Sequence, residues 1–352
     1  MTTSGVSTPN DGKGGGILVD SGSNLTVDDC TLSNDSAGFG GGIDVDSGTA
    51  TVNKSTLSND SADIGGGICN NFYGTLTVTN CTLSSDTTPS GGSGGGIASY
   101  NVLTVDDCTL SNDSSSFGGG IYVYGGTAMV TNSTLSNDSA NIGGGICNGY
   151  YGTFTVTNCT LSDDTTPSGG SGGGIASYNV LTVDDSTLSN DSSSFGGGIY
   201  VYGGTAMVTN STLSNDSADI GGGICNGYYG TFTVTNCTLS SDTTPSGGSG
   251  GGIASYNVLT VDDSTLSNDS SSFGGGIYVY GGTAMVNECR FSMNSAGQGG
   301  GIYNQSTLTV TDSTLIKNSA TVGDGGGIWS SGTLTVSDST LSGNAAMTFG
   351  ER

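Results

Sequence analysis

The chain has 352 residues, of which 66 are glycine, 30 are acidic and only five are basic, so its formal net charge is −25. This acidity argues against nucleic acid or an anionic membrane as a partner, since both are recognised by basic patches. The sequence has no histidine and no Cys-x-x-Cys pair, which argues against zinc, and no apolar run of the ~18 residues that a transmembrane helix needs.

A Gly-Gly-Gly-Ile tetrapeptide recurs thirteen times, at intervals of 24 to 29 residues. A period of this size indicates a stacked repeat, in which a single unit cannot bury its apolar face alone. The isoleucines of these tetrapeptides are Ile17, Ile43, Ile68, Ile97, Ile121, Ile146, Ile175, Ile199, Ile224, Ile253, Ile277, Ile302 and Ile328.

Each repeat contains three short runs in which apolar and polar residues alternate, at residues 17–19, 25–27 and 30–32 in the first repeat. Alternation at period two is typical of β-strands. Stacking the repeats places Ile, Val and Leu in three inward-facing columns, with Phe291 in place of one Leu. The sequence therefore predicts an all-β fold, a right-handed parallel β-helix (solenoid) of about thirteen three-stranded coils, whose hand follows from parallel crossovers. The leucine-rich repeat, the alternative at this period, would need an L-x-x-L-x-L spacing that is absent.

A longer period of 78 residues groups the coils in threes, because residues 97–174 and 175–252 differ at only three positions. Both ends of the chain depart from the repeat. We therefore expect an irregular N-terminal segment at residues 1–13, the β-helix with its three-coil blocks at residues 14–344, and a C-terminal tail at residues 345–352.

The late repeats carry the motif Phe291-Ser-Met-Asn294, and Leu replaces Phe at residues 315–318 and 341–344. Together with the Gly-Gly-Gly-Ile tetrapeptides, this pattern resembles the GGAI and FxxN repeats of chlamydial-type polymorphic outer-membrane proteins, from about residue 14 to residue 344. The resemblance implies a right-handed parallel β-helix, a fold that serves adhesins, surface fibres and enzymes alike. In the first ten coils Asp stands where the motif has Asn.

These aspartates form one column, in which stacking would place carboxylates about 5 Å apart and make them repel by roughly 1 kcal/mol per neighbour in water. The favoured interpretation is that they cap turns in contact with water. The alternatives are raised pKa values with shared protons, or cations such as Ca²⁺ between coils. No cofactor is required otherwise. The candidate metal ligands are Asp35, Asp60, Asp86, Asp113, Asp138, Asp164, Asp191, Asp216, Asp242 and Asp269.

Aromatic residues recur once per block next to inward-facing Ile and Val, so alternation predicts that they point outward. Such residues suggest a contact surface for a carbohydrate or for another copy of the chain. A column of outward threonines on the third strand offers a second repeated face, similar in composition to those of ice-binding proteins. The candidate contact residues are Tyr122, Tyr124, Tyr200, Tyr202, Tyr278 and Tyr280.

The nine cysteines fall into two columns. Six alternate with Ser at one inward position and are interpreted as small packing residues; these are Cys30, Cys81, Cys108, Cys159, Cys237 and Cys289. Only Cys81 and Cys108 lie on adjacent coils, within disulfide range. The other three, Cys69, Cys147 and Cys225, are expected to point outward.

An active site is singular, whereas the carboxylates of this chain are copied from coil to coil, so the sequence predicts that the chain is not an enzyme. We expect a structural rod, extracellular or at the cell surface, that self-associates end to end through its terminal coils into fibres. The alternative is an adhesin or carbohydrate-binding module that uses the repeated Tyr and Thr faces.

Overall fold

The computed structural model of the chain describes residues 2–4, 12–89, 91–245 and 247–347, and all regular secondary structure in these ranges is β-strand. The chain divides into two compact units, Met1–Thr182 and Val183–Arg352. Each unit is a stack of parallel coils, and the predicted all-β parallel β-helix of about thirteen coils is confirmed. In the described ranges, no helix of the length and apolarity needed to cross a membrane occurs.

In the first unit, a coil contains two or three main strands. The first strands are Ile17–Val19, Ile43–Val45, Ile68–Asn70, Ile97–Ser99 and Ile175–Ser177, and the second strands are Asn24–Asp28, Thr49–Asn53, Thr75–Thr79 and Val102–Asp106, with Val180–Asp184 at the division between the units. The third strands are Thr31–Ser33, Thr56–Ser58, Thr82–Ser84, Thr109–Ser111, Thr134–Ser136 and Thr160–Ser162. Short fourth strands are Ser36–Phe39 and Ser61–Ile64.

The second unit repeats this plan. Its first strands are Ile253–Ser255, Ile277–Val279, Ile302–Asn304 and Ile328–Ser330, and its second strands are Val258–Asp262, Thr283–Asn287, Thr307–Thr311 and Thr333–Ser337. Its third strands are Thr187–Ser189, Thr212–Ser214, Thr238–Ser240, Thr265–Ser267, Arg290–Ser292, Thr314–Ile316 and Thr340–Ser342. Its fourth strands are Ser270–Phe273, Ser295–Gln298, Ser319–Ala320 and Ala345–Ala346.

Four coils differ from the predicted three separate strands, because their first and second strands run together. In the first unit these fused strands are Ile121–Thr131 and Ile146–Thr157, and in the second they are Ile199–Thr209 and Ile224–Thr235. A register shift between Val123 and Gly125 allows the chain to bend without leaving the sheet. Each of these fused strands carries two Tyr residues.

The core consists of the predicted columns, stacked in register. Ile43 pairs with Ile68, and Leu57 pairs with Leu83, and all four side chains are fully buried. One further inward column alternates in size, since Phe154 pairs with Ala128 on the preceding coil. In the last coil the equivalent Leu and Val side chains are exposed.

The corner before each first strand depends on its glycines. Gly118, the first of its triplet, has a φ of 63°, and a Cβ there would collide with the carbonyl oxygen of Ile121. The left-handed conformation is easily reached only by Gly. Most of the other corners use Asn, Asp or Ser in the same region, such as Asn59 with a φ of 57°, and a few use Lys, Glu or Met.

The ends of the predicted β-helix carry further strands. Thr2–Ser4, within the segment expected to be irregular, pairs in parallel with Thr31–Ser33. Ala345–Ala346, in the expected tail, pairs with Ser319–Ala320. Residues 1, 5–11 and 348–352 of these two predicted segments lie outside the described residues.

Candidate functional site

Aromatic side chains line one edge of the coils in the first unit. The ring centroids of Tyr100 and Tyr124 are 5.5 Å apart, and Phe72 lies 4.9 Å from Tyr100. Tyr124 also approaches Tyr151, with 5.5 Å between the centroids. These separations are those of favourable aromatic pairs. We call this set, Phe72, Tyr100, Tyr124 and Tyr151, the aromatic strip of the first unit.

The strand register explains why these rings meet. Tyr100 and Tyr124 each stand three residues after the first-strand isoleucine, and Ile97 pairs with Ile121 across adjacent coils. The rings are therefore held one rung apart, at the point where the chain leaves the first strand. The nearby Tyr150 pairs with Tyr178 at 4.8 Å.

The second unit has its own aromatic strip, built from the copied block: Tyr202, Tyr228, Tyr229, Tyr256 and Tyr280. Ring centroids are 5.5 Å apart for Tyr202 and Tyr229, 4.9 Å for Tyr228 and Tyr256, and 5.2 Å for Tyr256 and Tyr280. Contact continues through Tyr278 to Tyr303 and Trp329, the last two stacked at 4.2 Å.

The structure separates the six candidate contact residues into three groups. Tyr124, Tyr202 and Tyr280 are exposed, by 36%, 37% and 48%. Tyr122 and Tyr200 are half-buried. Tyr278 is only 8% exposed, so it does not offer the contact surface expected of it: it packs on Ala254 and Tyr303, its partners on the adjacent coils.

Sequence reasoning missed several members of the strips. Phe72, Tyr100 and Tyr256 were not singled out, although they contact the residues that were. Counting from the first-strand isoleucine would have found two of them, because Tyr100 and Tyr256 occupy the same position as Tyr124 and Tyr280. Phe72 has no such signal, since it stands four residues after Ile68, within a turn.

Burial keeps the phenols of Tyr100, Tyr122 and Tyr256 protonated. Desolvation, together with the nearby Cys69 and Tyr124, raises the pKa of Tyr100 to about 12. Desolvation also raises the pKa values of Tyr122 and Tyr256. These hydroxyl groups are therefore neutral hydrogen-bond donors and acceptors across the ordinary pH range.

Two cavities open beside the aromatic residues. One of about 160 Å³ in the second unit is lined by Phe195, Tyr200, Ile220, Cys225, Gly227, Tyr228 and Tyr256. One of about 330 Å³ in the first unit is lined by Lys13, Phe39, Asp46, Ser47, Asn71, Phe72 and Tyr73. An apolar wall with a few polar groups is typical of ligand sites.

The cavity of the first unit adjoins a pair of carboxylates that the repeat does not copy. Lys13 Nζ lies 2.7 Å from Asp46 Oδ2. Asp44, at the position that holds Cys69 in the next coil, is fully buried and accepts a hydrogen bond of 2.9 Å from Asn71 Nδ2. Desolvation, then the charge of Asp46, raises the pKa of Asp44 to about 7.

The aspartate column lies in a different environment from the one expected. All ten carboxylates are buried, so the prediction that they project into water is wrong. Within each unit, backbone N–H groups of the column donate to Oδ1 on the following coil, as from Asp60 to Asp86 at 2.8 Å. Within the described residues no three Asp, Glu, Cys or His side chains converge as a metal site would require, and the cation interpretation stays a prediction.

The cysteines are free thiols, and Cys81 and Cys108 are not bridged. The six of the inward column pack as expected, with Cys30 partly exposed and the others buried. Cys69, Cys147 and Cys225 are also buried, so the outward position expected of them does not expose them to solvent. Desolvation raises the pKa values of Cys147 and Cys225 to about 12.

Two solved structures are similar to the chain at low identity. A PL6 alginate lyase in complex with a trisaccharide is 8% identical, with 94% of this chain and 79% of that chain covered and a TM-score of 0.40. A mutant of the periplasmic alginate epimerase AlgG is 9% identical, with 82% and 77% covered and a TM-score of 0.38. The prediction that the chain is not an enzyme is contradicted, since both structures are of enzymes with this fold.

No curated protein sequence matches the chain. A family model described as the right-handed β-helix region matches residues 6–161, 90–239 and 197–349. These matches together span almost all of the sequence and agree with the parallel coils of both units. The chain therefore belongs to the right-handed β-helix family.

Proposed function

We propose that this β-helix binds a neutral polysaccharide along its aromatic strips, and that it does so outside the cytoplasm. The observation that carries the proposal is the run of exposed rings in the first unit, where Phe72, Tyr124 and Tyr151 are all open to solvent. Contiguous exposed aromatic surface is uncommon on soluble proteins and marks a binding site. The resemblance of the repeats to those of chlamydial-type surface proteins supports this location.

The spacing of the rings suits a sugar polymer. Adjacent rungs of a parallel β-structure are ~4.8 Å apart, which is close to the length of one sugar residue in an extended chain. The apolar C–H face of a pyranose ring can stack on an aromatic ring, and the neutral phenol groups can exchange hydrogen bonds with sugar hydroxyls. A repeated strip can hold several sugar residues at once, so that weak contacts add.

The charge of the chain favours a neutral polymer over an acidic one. The formal net charge is −25, which repels a polyanion. Beside the strip of the first unit, Lys13 supplies a positive charge, but Asp46 neutralises it at 2.7 Å.

Affinity electrophoresis in gels containing a neutral β-glucan, or alginate as an acidic comparison, tests this function. The variant F72A/Y124A/Y151A removes three exposed rings, and T109A/T160A is the matched control on the exposed threonine column. We expect the β-glucan to retard the wild type and the control, and the aromatic variant to bind at least roughly tenfold more weakly. Equal retardation of all three proteins, or retardation by alginate alone, would refute the proposal.

A further inference from the structure

The buried aspartate column is continuous in hydrogen bonding within each unit. In the first unit, the N–H groups of Asp35, Asp60, Asp86 and Asp113 each donate to Oδ1 of the next aspartate at 2.8 Å. These bonds occupy one oxygen of each carboxyl group. The other oxygen is buried without a hydrogen-bond partner in Asp60, Asp86, Asp113 and Asp138, and in Asp216, Asp242 and Asp269 of the second unit.

The second unit shows what this second atom can do, because its column changes from Asp to Asn. Asp269 N–H donates to Asn294 Oδ1 at 2.9 Å, so the first oxygen keeps its role. The amide nitrogen takes a donor role: Asn294 Nδ2 donates to the carbonyl oxygen of Leu266 at 3.0 Å. Asn318 and Asn344 donate in the same way to the carbonyl oxygens of Phe291 and Leu315.

The orphaned aspartate oxygen occupies the position of that amide nitrogen. The two atoms can be compared through their distances to one equivalent point. This point is the position that a Cβ atom would have on the third glycine of the Gly-Gly-Gly triplet. Asp269 Oδ2 lies 3.1 Å from this point at Gly252, and Asn294 Nδ2 lies 3.1 Å from it at Gly276. An atom that faces a carbonyl oxygen at this position must be a donor, and a carboxyl oxygen donates only when it carries a proton.

We propose that the column aspartates with an orphaned oxygen are carboxylic acids in the folded protein, and that each donates an Oδ2–H bond to the carbonyl oxygen of the third-strand residue on the preceding coil. These residues are Asp60, Asp86, Asp113, Asp138, Asp216, Asp242 and Asp269. By register this acceptor is Leu239 for Asp269 and Leu213 for Asp242. The column is then the protonated equivalent of the asparagine column that continues it. The folded β-helix then binds more protons than the unfolded chain, so low pH favours folding.

The charges around the column agree with this assignment. The groups that act on a column carboxyl are other carboxyls: Asp35 for Asp60, Asp269 for Asp242, and Asp163 in addition to column neighbours for Asp164. For the described column aspartates whose pKa is shifted, no lysine or arginine is among the causes of the shift. Desolvation is the largest cause, and it raises the pKa of Asp60 to about 7 and those of Asp86, Asp113 and Asp138 well above their ordinary value.

The direction of the pH effect follows from proton linkage. Below pH ~4 the column is protonated in the folded and unfolded chain alike, so its hydrogen bonds are fully present. Above that pH the unfolded chain releases protons that the folded column retains, which favours unfolding. Stability therefore falls as the pH rises from ~4 through the folded pKa, about 7 for Asp60.

The variant D216N/D242N/D269N tests the proposal in the full chain, because an amide is always a donor and extends the existing asparagine run. We expect its melting temperature to equal that of the wild type near pH 4 and to exceed it at pH 8. The control D219N changes an exposed aspartate that is asparagine at the equivalent position of the previous block, and should follow the wild type. Infrared spectra should show a carboxylic acid carbonyl band in the folded wild type at pH 6 that weakens in the triple variant.

Two results would overturn the proposal. One is a folded wild type at pH 6 without the acid carbonyl band, together with the same pH slope in the triple variant. The other is a melting temperature that Ca²⁺ raises and a chelator lowers in the wild type but not in the triple variant, since this would assign the column to cations. The infrared band also distinguishes a triple variant that merely misfolds from one that has lost its acids.

Discussion

The backbone N–H of Asp269 donates to Oδ1 of Asn294 at 2.9 Å, where an acid column in the second unit meets an amide column. The preceding bond, from Asp242 N–H to Asp269 Oδ1, measures 3.0 Å. The first side-chain oxygen therefore accepts the same backbone hydrogen bond whether the residue is Asp or Asn. The two residue types differ only in the second atom, which donates at any pH from an amide and only below the pKa from an acid.

Replacing Asn294 with Asp should therefore make stability depend on pH at a position where it does not now. At neutral pH the change should lower the free energy of unfolding by about 1–3 kcal/mol, since the donor to the Leu266 carbonyl is lost or a proton must be held there. Below pH ~4 the variant and the wild type should unfold together. Urea unfolding at pH 4 and pH 8 measures this, with the exposed substitution N141D as control. Equal loss at both pH values would indicate a steric effect instead.

Two neighbouring tyrosines, Tyr278 within the strand Ile277–Val279 and Tyr280 just after it, should respond differently to truncation. Tyr278 is 8% exposed, stacks on Tyr303 at 5.5 Å and donates to Gln305 at 3.1 Å, whereas Tyr280 is 48% exposed. Tyr278→Ala should cost about 2–4 kcal/mol of stability, and Tyr280→Ala less than about 1 kcal/mol. Thermal unfolding of both variants provides the comparison. Similar losses would mean that Tyr278 is no more structural than its neighbour.

The fold could be predicted from the sequence because one signal dominates it. A repeat of Gly-Gly-Gly-Ile with alternating Val and Leu leaves only one way to bury the apolar residues, and Ile43, Val52 and Leu57 are indeed fully buried. The positions whose orientation the alternation does not predict are those at the corners. Asn59 adopts a left-handed φ of 57°, which turns the next side chain, Asp60, inward instead of continuing the alternation.

The candidate site was predicted less completely, for related reasons. Tyr100 follows the first strand, where the period-two pattern ends, so it was missed. Tyr278 lies within the strand Ile277–Val279 but is covered by neighbouring side chains such as Tyr303, which alternation cannot report. The burial of Cys69 depends on what covers the strand from outside, which alternation cannot report. Asp44 was missed because it is the one aspartate at its position in the repeat. A search for residues that recur from coil to coil does not detect such a residue.

Phe154 should be the most costly core residue to truncate in its block. It is fully buried and pairs with Ala128 on the preceding coil, so a large side chain fills the space that a small one leaves. Phe154→Ala places two small residues in succession and should cost about 3–5 kcal/mol through the cavity that remains. Phe154→Leu, which matches the residue at this position in other coils, should cost less. Urea unfolding measures both variants. Equal losses of stability would contradict the conclusion that the Phe154 side chain fills the space beside Ala128.

The thiols should differ in reactivity by exposure. Cys30 is partly exposed, whereas Cys147 and Cys225 are buried and their pKa values are raised to about 12. Because the thiolate is the reactive species, an alkylating reagent at pH 8 should modify Cys30 first in the native protein. Peptide mapping by mass spectrometry identifies the site. Early labelling of Cys147 would show that its strand opens or that the side chain faces water.

Alanine at Gly118 should destabilise the coil far more than alanine at Gly22, although both glycines have positive φ, 63° and 73°. Any L-residue in this conformation costs about 1–2 kcal/mol, and this cost is common to both sites. At Gly118 the new Cβ would also collide with the carbonyl oxygen of Ile121, whereas nothing lies within 4 Å at Gly22. We therefore expect losses of about 3 kcal/mol or more for Gly118→Ala and about 1 kcal/mol for Gly22→Ala. Chemical unfolding of the two variants measures the difference, and equal losses would show that the triplet is needed for its φ angle alone and not for close approach of the chain.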